Sequence, residues 1–252
     1  MIPSAVPATL INVLRHDGFA VVEQVTTPED LARISGIMAR LYRRFPELAR
    51  ARYAWDLGVA GPDEPPEILE INYPTKLEPE LKETLTFSRC RELAGALVGR
   101  PMECRFDHAI YKPPFNGRAT AWHQDEAYAL DPARISVHFW VPLQDVSVEM
   151  GCLHYIPRSH REGIRPHRPL ERLRHAHALE TVDVDVSRAV ACPLRAGDVT
   201  VHFPRTVHYA GPNLTAAPRL VWSLEFVARR RLPFRLAARA RRLPSRLWRR
   251  LA

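Results

Sequence analysis

The run RISVHFWVPL at residues 134–143 decides the fold, because it is short, mostly apolar and rich in β-branched and aromatic residues. A run of this kind between turn residues is typical of a buried β-strand. Seven more candidate strands follow residue 102, at residues 103–111, 119–123, 152–156, 190–194, 198–202, 206–209 and 219–227. Many short strands after N-terminal helices predict a mainly β protein, a jelly-roll sandwich with helices packed on one face.

The first hundred residues show a different pattern. The segment Gly18-Phe19-Ala20-Val21-Val22 predicts a single strand. Thr27-Pro28 then supplies an N-cap and a proline at the first helical position, and apolar residues recur at helical spacing after it. Helices are therefore predicted at residues 28–45 and 88–98. The proline-rich, acidic segment 46–85 between them predicts a covering loop with one short helix.

These patterns predict one domain at residues 1–228, with a helical part at 1–100 and a jelly-roll core at 101–228, followed by a basic tail at 229–252. The tail contains ten arginines and no acidic residue. Since the whole chain carries a net charge of +8, residues 1–228 carry −2. Basicity confined to a tail argues against a nucleic-acid-binding face on the fold.

The tail itself has two interpretations. Its leucines alternate with arginines at helical spacing, although Pro233 and Pro244 interrupt the pattern. A basic amphipathic helix suits an anionic membrane surface or an acidic partner. A solvated tail without a partner is the alternative.

The bulk properties predict a cytoplasmic protein. No stretch approaches the ~20 consecutive apolar residues of a membrane span. The N-terminus has neither a basic region nor a long apolar run, so no signal peptide is predicted. The four cysteines are scattered and form no C-x-x-C pair, which favours reduced, mostly buried thiols.

A metal site is suggested by His123-Gln124-Asp125, which follows the strand-like segment Thr120-Ala121-Trp122. Residues two apart on a strand point to the same side, so His123 and Asp125 can bind one ion. His208, in another late strand, can supply a third ligand, and His202 is the rival for that place. Two histidines and one carboxylate leave open positions on iron(II).

Longer blocks around these residues resemble the phytanoyl-CoA dioxygenase family of iron(II)/2-oxoglutarate oxygenases. The first block is Tyr111-Lys112-Pro113-Pro114, followed by Trp122-His123-Gln124-Asp125. Further blocks follow in the same order at residues 140–145, 149–153, 156–160 and 196–219, so that the resemblance spans roughly residues 12–228. There is one departure: the family's Pro-Gly-Ser-His turn reads Pro157-Arg158-Ser159-His160 here.

The resemblance implies a double-stranded β-helix (cupin-like) fold and a specific site. The family's iron ligands fall on His123, Asp125 and His208, and its arginine for the distal carboxylate of 2-oxoglutarate falls on Arg219. A guanidinium suits that role because its planar fork matches a carboxylate. Lys112 and Trp140 match positions that approach the co-substrate in a relative. The implied cofactors are iron(II), 2-oxoglutarate and dioxygen.

The implied reaction is hydroxylation of a small or medium-sized organic substrate, with oxidative decarboxylation of 2-oxoglutarate to succinate. Related halogenases carry a small residue where this chain has Asp125, so the carboxylate favours hydroxylation over halogenation. One alternative is a metal-dependent cupin that does not use 2-oxoglutarate, which would have no need for Arg219. Another is a non-catalytic binding protein on the same fold, which would need a broken ligand set.

Overall fold

The computed structural model describes residues 7–58, 67–128, 135–170 and 179–228. The basic tail at 229–252 therefore lies outside the described residues. The helices are α1 (Ala8–Asp17), α2 (Pro28–Arg43), α3 (Phe45–Arg50), α4 (Pro74–Leu77) and α5 (Leu85–Val98). The strands are β1 (Phe19–Val22), β2 (Ala54–Asp56), β3 (Leu69–Asn72), β4 (Met102–Lys112), β5 (Thr120–His123), β6 (Ser136–Pro142), β7 (Leu153–Tyr155), β8 (His167–Pro169), β9 (Leu179–Thr181), β10 (Val190–Cys192), β11 (Val199–His202), β12 (His208–Ala210) and β13 (Arg219–Ala228).

Two antiparallel sheets form the sandwich. The large sheet has the order β1-β11-β6-β13-β4-β3-β2, and the small sheet has the order β10-β7-β12-β5. Trp140 and Val221 of the large sheet share a buried cluster with Leu153 and Tyr155 of the small sheet. The jelly-roll prediction is confirmed, and the space between the sheets is where the candidate site lies.

The helices cover the other face of the large sheet. In α2 the apolar residues Ile34, Ile37, Met38 and Leu41 are buried, and the Thr27 side chain caps the helix by accepting from the Asp30 backbone N–H. The predicted helix at 28–45 ends at Arg43, and α3 begins at Phe45 with Pro46 in its first turn. Because proline lacks a backbone donor and clashes with the preceding turn, Pro46 favours a helix end before it, so the predicted helix is two residues shorter than expected and α3 is a separate helix that follows it.

The prediction of a covering loop at residues 46–85 is wrong in one respect. Besides short helices, this segment contains β2 and β3, which extend the large sheet beyond β4. Leu69 pairs with Tyr111 and Asn72 with His108, so β3 lies along β4. The two strands have only three and four residues, which is too short for an alternating pattern to be recognised along the sequence. The paired strands β8 and β9 have three residues each and were not predicted for the same reason.

The cysteines are all free thiols, and Cys90, Cys152 and Cys192 are buried. Within the described ranges, no helix combines the length and apolar character that crossing a membrane requires.

Candidate metal centre

Two neighbouring strands of the small sheet bring the predicted ligands together. His208 of β12 lies directly opposite His123 of β5, and their ring centroids are 4.1 Å apart. Asp125 does not continue the strand: it begins a 3₁₀ turn, Asp125–Tyr128, after β5 has ended. Its Oδ1 lies 3.5 Å from His123 Nε2 and 3.7 Å from His208 Nε2. Three donor atoms thus converge on one point.

Backbone carbonyls fix the orientation of both imidazoles. His123 Nδ1 lies 2.7 Å from the carbonyl oxygen of Ala121, and His208 Nδ1 lies 2.9 Å from that of Thr206. Each Nδ1–H can donate to its carbonyl, which leaves Nε2 as a free lone pair facing Asp125. This is the usual arrangement around metal-binding histidines, where an outer partner sets the tautomer.

The charge states of the donors suit a cation. Burial, reinforced by His123, lowers the pKa of His208 well below its usual range, so the ring is neutral at pH 7. Burial acts to raise the pKa of Asp125, but the surrounding histidines outweigh it and hold that pKa well below its usual range. A neutral imidazole and an ionised carboxylate are the forms that bind a metal ion.

The side chain between the two ligands, Gln124, anchors the turn. It is fully buried. Its Nε2 donates to the carbonyl oxygens of Gly163 and Arg205, at 2.9 and 2.6 Å, and its Oε1 accepts from the Arg165 N–H at 2.8 Å. Sequence analysis assigned Gln124 no role. The only indication in the sequence was its position between two ligands. Side chains alternate in direction along a strand, so a residue between two metal ligands points away from the metal.

Two further histidines surround the other oxygen of Asp125. His138 Nδ1 lies 2.9 Å and His202 Nε2 lies 3.1 Å from Asp125 Oδ2. The sequence predicted His202 as a rival ligand and gave His138 no site role. A signal for His138 existed, because it is the one histidine in the otherwise apolar run of β6.

The residues expected to bind 2-oxoglutarate divide into two groups. Arg219 and Trp140 line the cavity beside the metal ligands, and the guanidinium carbon lies 5.6 Å from the Trp140 ring centroid. Lys112 is not brought to the cavity. Its Nζ donates to the carbonyl oxygens of Arg118, Ala210 and Gly211, at 3.0, 3.4 and 2.8 Å. Lys112 is fully buried there and ties β4 to the end of β12.

A cavity of about 680 Å³ opens between the sheets and contains the three candidate ligands. Its aromatic lining is Trp55, Tyr73, Phe106, Tyr128 and Trp140. A polar pair lies in the same wall, since His108 Nδ1 is 2.5 Å from Glu70 Oε1. The cavity is of the size that holds small organic ligands, and its mixed apolar and polar lining is typical of such sites.

The donor set fits iron(II) with 2-oxoglutarate. Imidazole and carboxylate in a two-to-one ratio are the facial ligands of non-haem iron oxygenases. Arg219 is buried, its Nη1 donates to the Gly151 carbonyl at 2.8 Å, and its buried Nε makes no hydrogen bond. A buried guanidinium that lines the cavity and keeps an unused donor suits the carboxylate of a bound dicarboxylate.

The fold and this site together define a class: jelly-roll proteins with a His-x-Asp…His centre, the arrangement of iron/2-oxoglutarate-dependent oxygenases. The family model of phytanoyl-CoA dioxygenase (PhyH) matches residues 14–221. The chain belongs to this family.

The comparisons with individual proteins agree with this assignment. The chain is similar to a probable alpha-ketoglutarate-dependent hypophosphite dioxygenase of Stutzerimonas stutzeri, with 28% identity over 128 residues that cover 48% of this chain and 44% of that protein. The chain spans about half the length of the first curated relatives it matches.

Two solved structures share most of the fold. EvdO2 from Micromonospora carbonacea var. aurantiaca, complexed with 2-oxoglutarate, is 35% identical with a TM-score of 0.74 over 90% of this chain and 92% of its own. The epimerase SnoN, in complex with Fe3+, alpha ketoglutarate and nogalamycin RO, is 26% identical with a TM-score of 0.66, over 87% and 82% of the two chains.

Proposed function

We propose that this protein is an iron(II)- and 2-oxoglutarate-dependent dioxygenase that hydroxylates a small or medium-sized organic substrate and converts 2-oxoglutarate to succinate. The observation that carries this proposal is the convergence of His123 Nε2, Asp125 Oδ1 and His208 Nε2, with each imidazole oriented by a backbone carbonyl. These three residues are the proposed iron ligands. When bound, iron supplies the activation of dioxygen that organic side chains cannot provide.

Arg219 is the proposed partner of the distal carboxylate of 2-oxoglutarate. It lies at the start of β13, within the same cavity as the ligands, and burial strengthens each of its hydrogen bonds. Trp140 packs against the guanidinium and limits its positions. The proposed role of Lys112 is indirect: by donating to the carbonyls of Ala210 and Gly211 at the end of β12, it supports the strand that carries His208.

The cavity supports an organic substrate of moderate size. About 680 Å³ is more than 2-oxoglutarate requires, and the aromatic side chains of Trp55, Tyr73 and Tyr128 are part of the cavity lining. An apolar wall excludes water from the reacting atoms, which protects reactive species from side reactions. Glu70 and His108 are the polar groups available to orient a substrate.

Hydroxylation is the proposed outcome because Asp125 occupies the place that chloride needs in a halogenase. Mass spectrometry of products formed in high chloride should show added oxygen, or a desaturation or ring closure after the same hydrogen abstraction. A chlorinated product from the unmodified protein would overturn this part of the proposal. SnoN is named an epimerase, so the same products should also be examined for inversion of a stereocentre.

The deciding experiment is a succinate-release assay with iron(II), 2-oxoglutarate and a panel of candidate substrates. Succinate should form with the unmodified chain, and His123→Ala, Asp125→Ala and His208→Ala should each abolish both succinate release and stoichiometric iron binding. His154→Ala is the matched control, because His154 lies on β7 of the same sheet but outside the cavity lining.

The two alternative functions predict different results. A metal-dependent cupin would bind iron but not respond to 2-oxoglutarate, and a binding protein would hold ligand without turnover. If His208→Ala kept full iron occupancy and turnover while His202→Ala lost both, the assigned third ligand would be wrong.

A further inference from the structure

The two oxygens of the Asp125 carboxylate have different surroundings. Oδ1 faces the two Nε2 atoms of His123 and His208, at 3.5 and 3.7 Å. Oδ2 faces away from them and contacts His138 Nδ1 at 2.9 Å and His202 Nε2 at 3.1 Å. Both contacts are at hydrogen-bond distance, so each histidine can donate an N–H to the same oxygen.

The histidines at Oδ2 are fixed by further buried groups. His202 Nδ1 lies 3.1 Å from the Tyr155 hydroxyl, and this hydroxyl lies 2.8 Å from the Thr200 hydroxyl. Tyr155 and Thr200 are fully buried. On the other side, His138 Nε2 lies 3.6 Å from Glu225 Oε1. Behind Asp125, a chain of hydrogen bonds therefore holds His202, and an ion-pair contact with Glu225 lies beside His138.

Strand register places these groups in one row. Glu225 of β13 pairs with His138 of β6, and His138 pairs with His202 of β11. Tyr155 comes from β7 of the opposite sheet, so the row joins both sheets behind the carboxylate. Rigid strands hold a side chain more precisely than loops do. This matters because Asp125 itself lies in a turn and not in a strand.

We propose that His138 and His202 are positioning residues that keep Asp125 a one-oxygen ligand by occupying Oδ2. This rests on the proposed iron site. A carboxylate that used both oxygens would take one more position on the metal. With two histidines and a chelating 2-oxoglutarate also bound, an octahedral iron would have no position left for dioxygen. The outer hydrogen bonds therefore preserve the open position.

The test compares variants that keep or remove the N–H group that donates to Asp125 Oδ2. His202→Leu and His138→Leu remove it, His202→Gln retains an N–H, and Tyr155→Phe removes only the group that orients His202. His154→Leu, outside the cavity, is the matched control. Each protein is titrated with cobalt(II) without 2-oxoglutarate, and the visible spectrum of the loaded protein reports the coordination number and geometry.

Loss of outer-shell partners typically costs about 10–100-fold in metal affinity. Both leucine variants should show a loss of this order and an altered cobalt spectrum. His202→Gln should recover most of the affinity and the original spectrum, and Tyr155→Phe should show a smaller loss. If a leucine variant does not fold, Tyr155→Phe and His202→Gln still decide the question, because a structural role alone would change thermal stability and leave the spectrum as it was.

Two results would overturn the proposal. One is unchanged cobalt affinity and spectrum in every variant at these positions. The other is binding of two cobalt ions per chain, with one of the two ions lost in the leucine variants. That result would indicate a second metal site, because the donor atoms of Asp125, His138 and His202 also lie within 4.8 Å of one another. If the spectral effects appear but succinate never forms under any condition, the oxygenase function fails while the positioning role stands.

Discussion

Arg219 shows how one residue can indicate a ligand. The residue is 1% exposed, and burial lowers the pKa of its guanidinium to about 10, so it is still a cation at neutral pH. Among the described residues no carboxylate forms an ion pair with it. Keeping an unpaired charge in the interior is costly, and a bound anion would offset that cost. We therefore expect Arg219 to bind a ligand that carries a negative charge.

Arg219→Ala should weaken 2-oxoglutarate binding by roughly 1.5–3 kcal/mol, the usual contribution of hydrogen bonds to a charged group. Calorimetric titration of the iron-loaded protein measures this, and iron binding should persist. Arg168→Ala is the control, because that guanidinium is already paired with Glu180 on the hairpin of β8 and β9. Unchanged affinity in Arg219→Ala would favour a cupin that does not use 2-oxoglutarate.

At the scale of elements, Asp30 joins two helices. From the first turn of α2, its carboxylate accepts hydrogen bonds from the Leu85 and Thr86 N–H groups, at 3.0 and 2.8 Å, which are the first residues of α5. Thr86 and Thr26 hydroxyls donate to it as well. An anion at a helix N-terminus is favourable because unpaired N–H groups and the helix dipole both point towards it.

Asp30→Asn should destabilise the protein by about 1–3 kcal/mol at pH 7. Although burial opposes it, hydrogen bonding from Thr86 and its neighbours lowers the pKa of Asp30. A lowered folded-state pKa means that the stabilisation is complete above the unfolded value of about 3.9 and is lost as pH falls through the folded value. In urea unfolding, the difference in free energy of unfolding between the parent protein and Asp30→Asn should therefore decrease below about pH 4. Glu29→Gln, in the same turn but exposed, should have nearly the same free energy of unfolding as the parent protein. Equal losses of stability in both variants would contradict the role of Asp30.

The turn after β7 contains a strained residue. Arg158 has a φ of 67°, in the left-handed region, where the resemblance to the family leads one to expect glycine. An L-residue pays roughly 1–2 kcal/mol for that conformation, and glycine does not. The Arg158 backbone N–H donates to the Asp17 carbonyl at 2.8 Å, which holds the turn against the end of α1.

Arg158→Gly should raise stability by about 0.5–1 kcal/mol, because relief of strain exceeds the added flexibility of the unfolded chain. Thermal unfolding measures it as an increase in Tm. Arg161→Gly in the following 3₁₀ turn is the comparison, and it should destabilise, because it removes the hydrogen bond from Arg161 Nη2 to the Arg15 carbonyl. A lower Tm for Arg158→Gly would mean that its side chain contributes more than the strain costs.

At the scale of the molecule, the site depends on both sheets at once. His123 and His208 come from the small sheet, whereas Arg219, Trp140 and His138 come from the large one. The helices stabilise the large sheet from outside and leave the space between the sheets open as the cavity. Since the last described strand, β13, ends at Ala228, every candidate site residue precedes the basic tail.

Deletion of residues 230–252 should leave iron and 2-oxoglutarate binding largely unchanged. It should lower any affinity for anionic lipid vesicles, which should also fall with added salt because exposed charges are screened within about 10 Å at 0.1 M. Co-sedimentation with vesicles measures this, and neutral vesicles are the control. Absence of vesicle binding by the full-length chain, or binding that the deletion does not change, would refute a membrane role for the tail.

The sequence by itself determined the class of fold, the two principal helices and the identity of the candidate ligands. Those features depend on local periodicity or on ordered motifs, which are visible along one chain. Only the tertiary structure decided where Lys112 points, that β2 and β3 join the large sheet, and that His138 and His202 share the second oxygen of Asp125. The physical reason is that strand periodicity indicates which side a residue faces, whereas its contacts depend on strand order and register. His202 and Asp125 are 77 residues apart in the sequence, and a pattern among neighbouring residues cannot show that these two side chains are in contact.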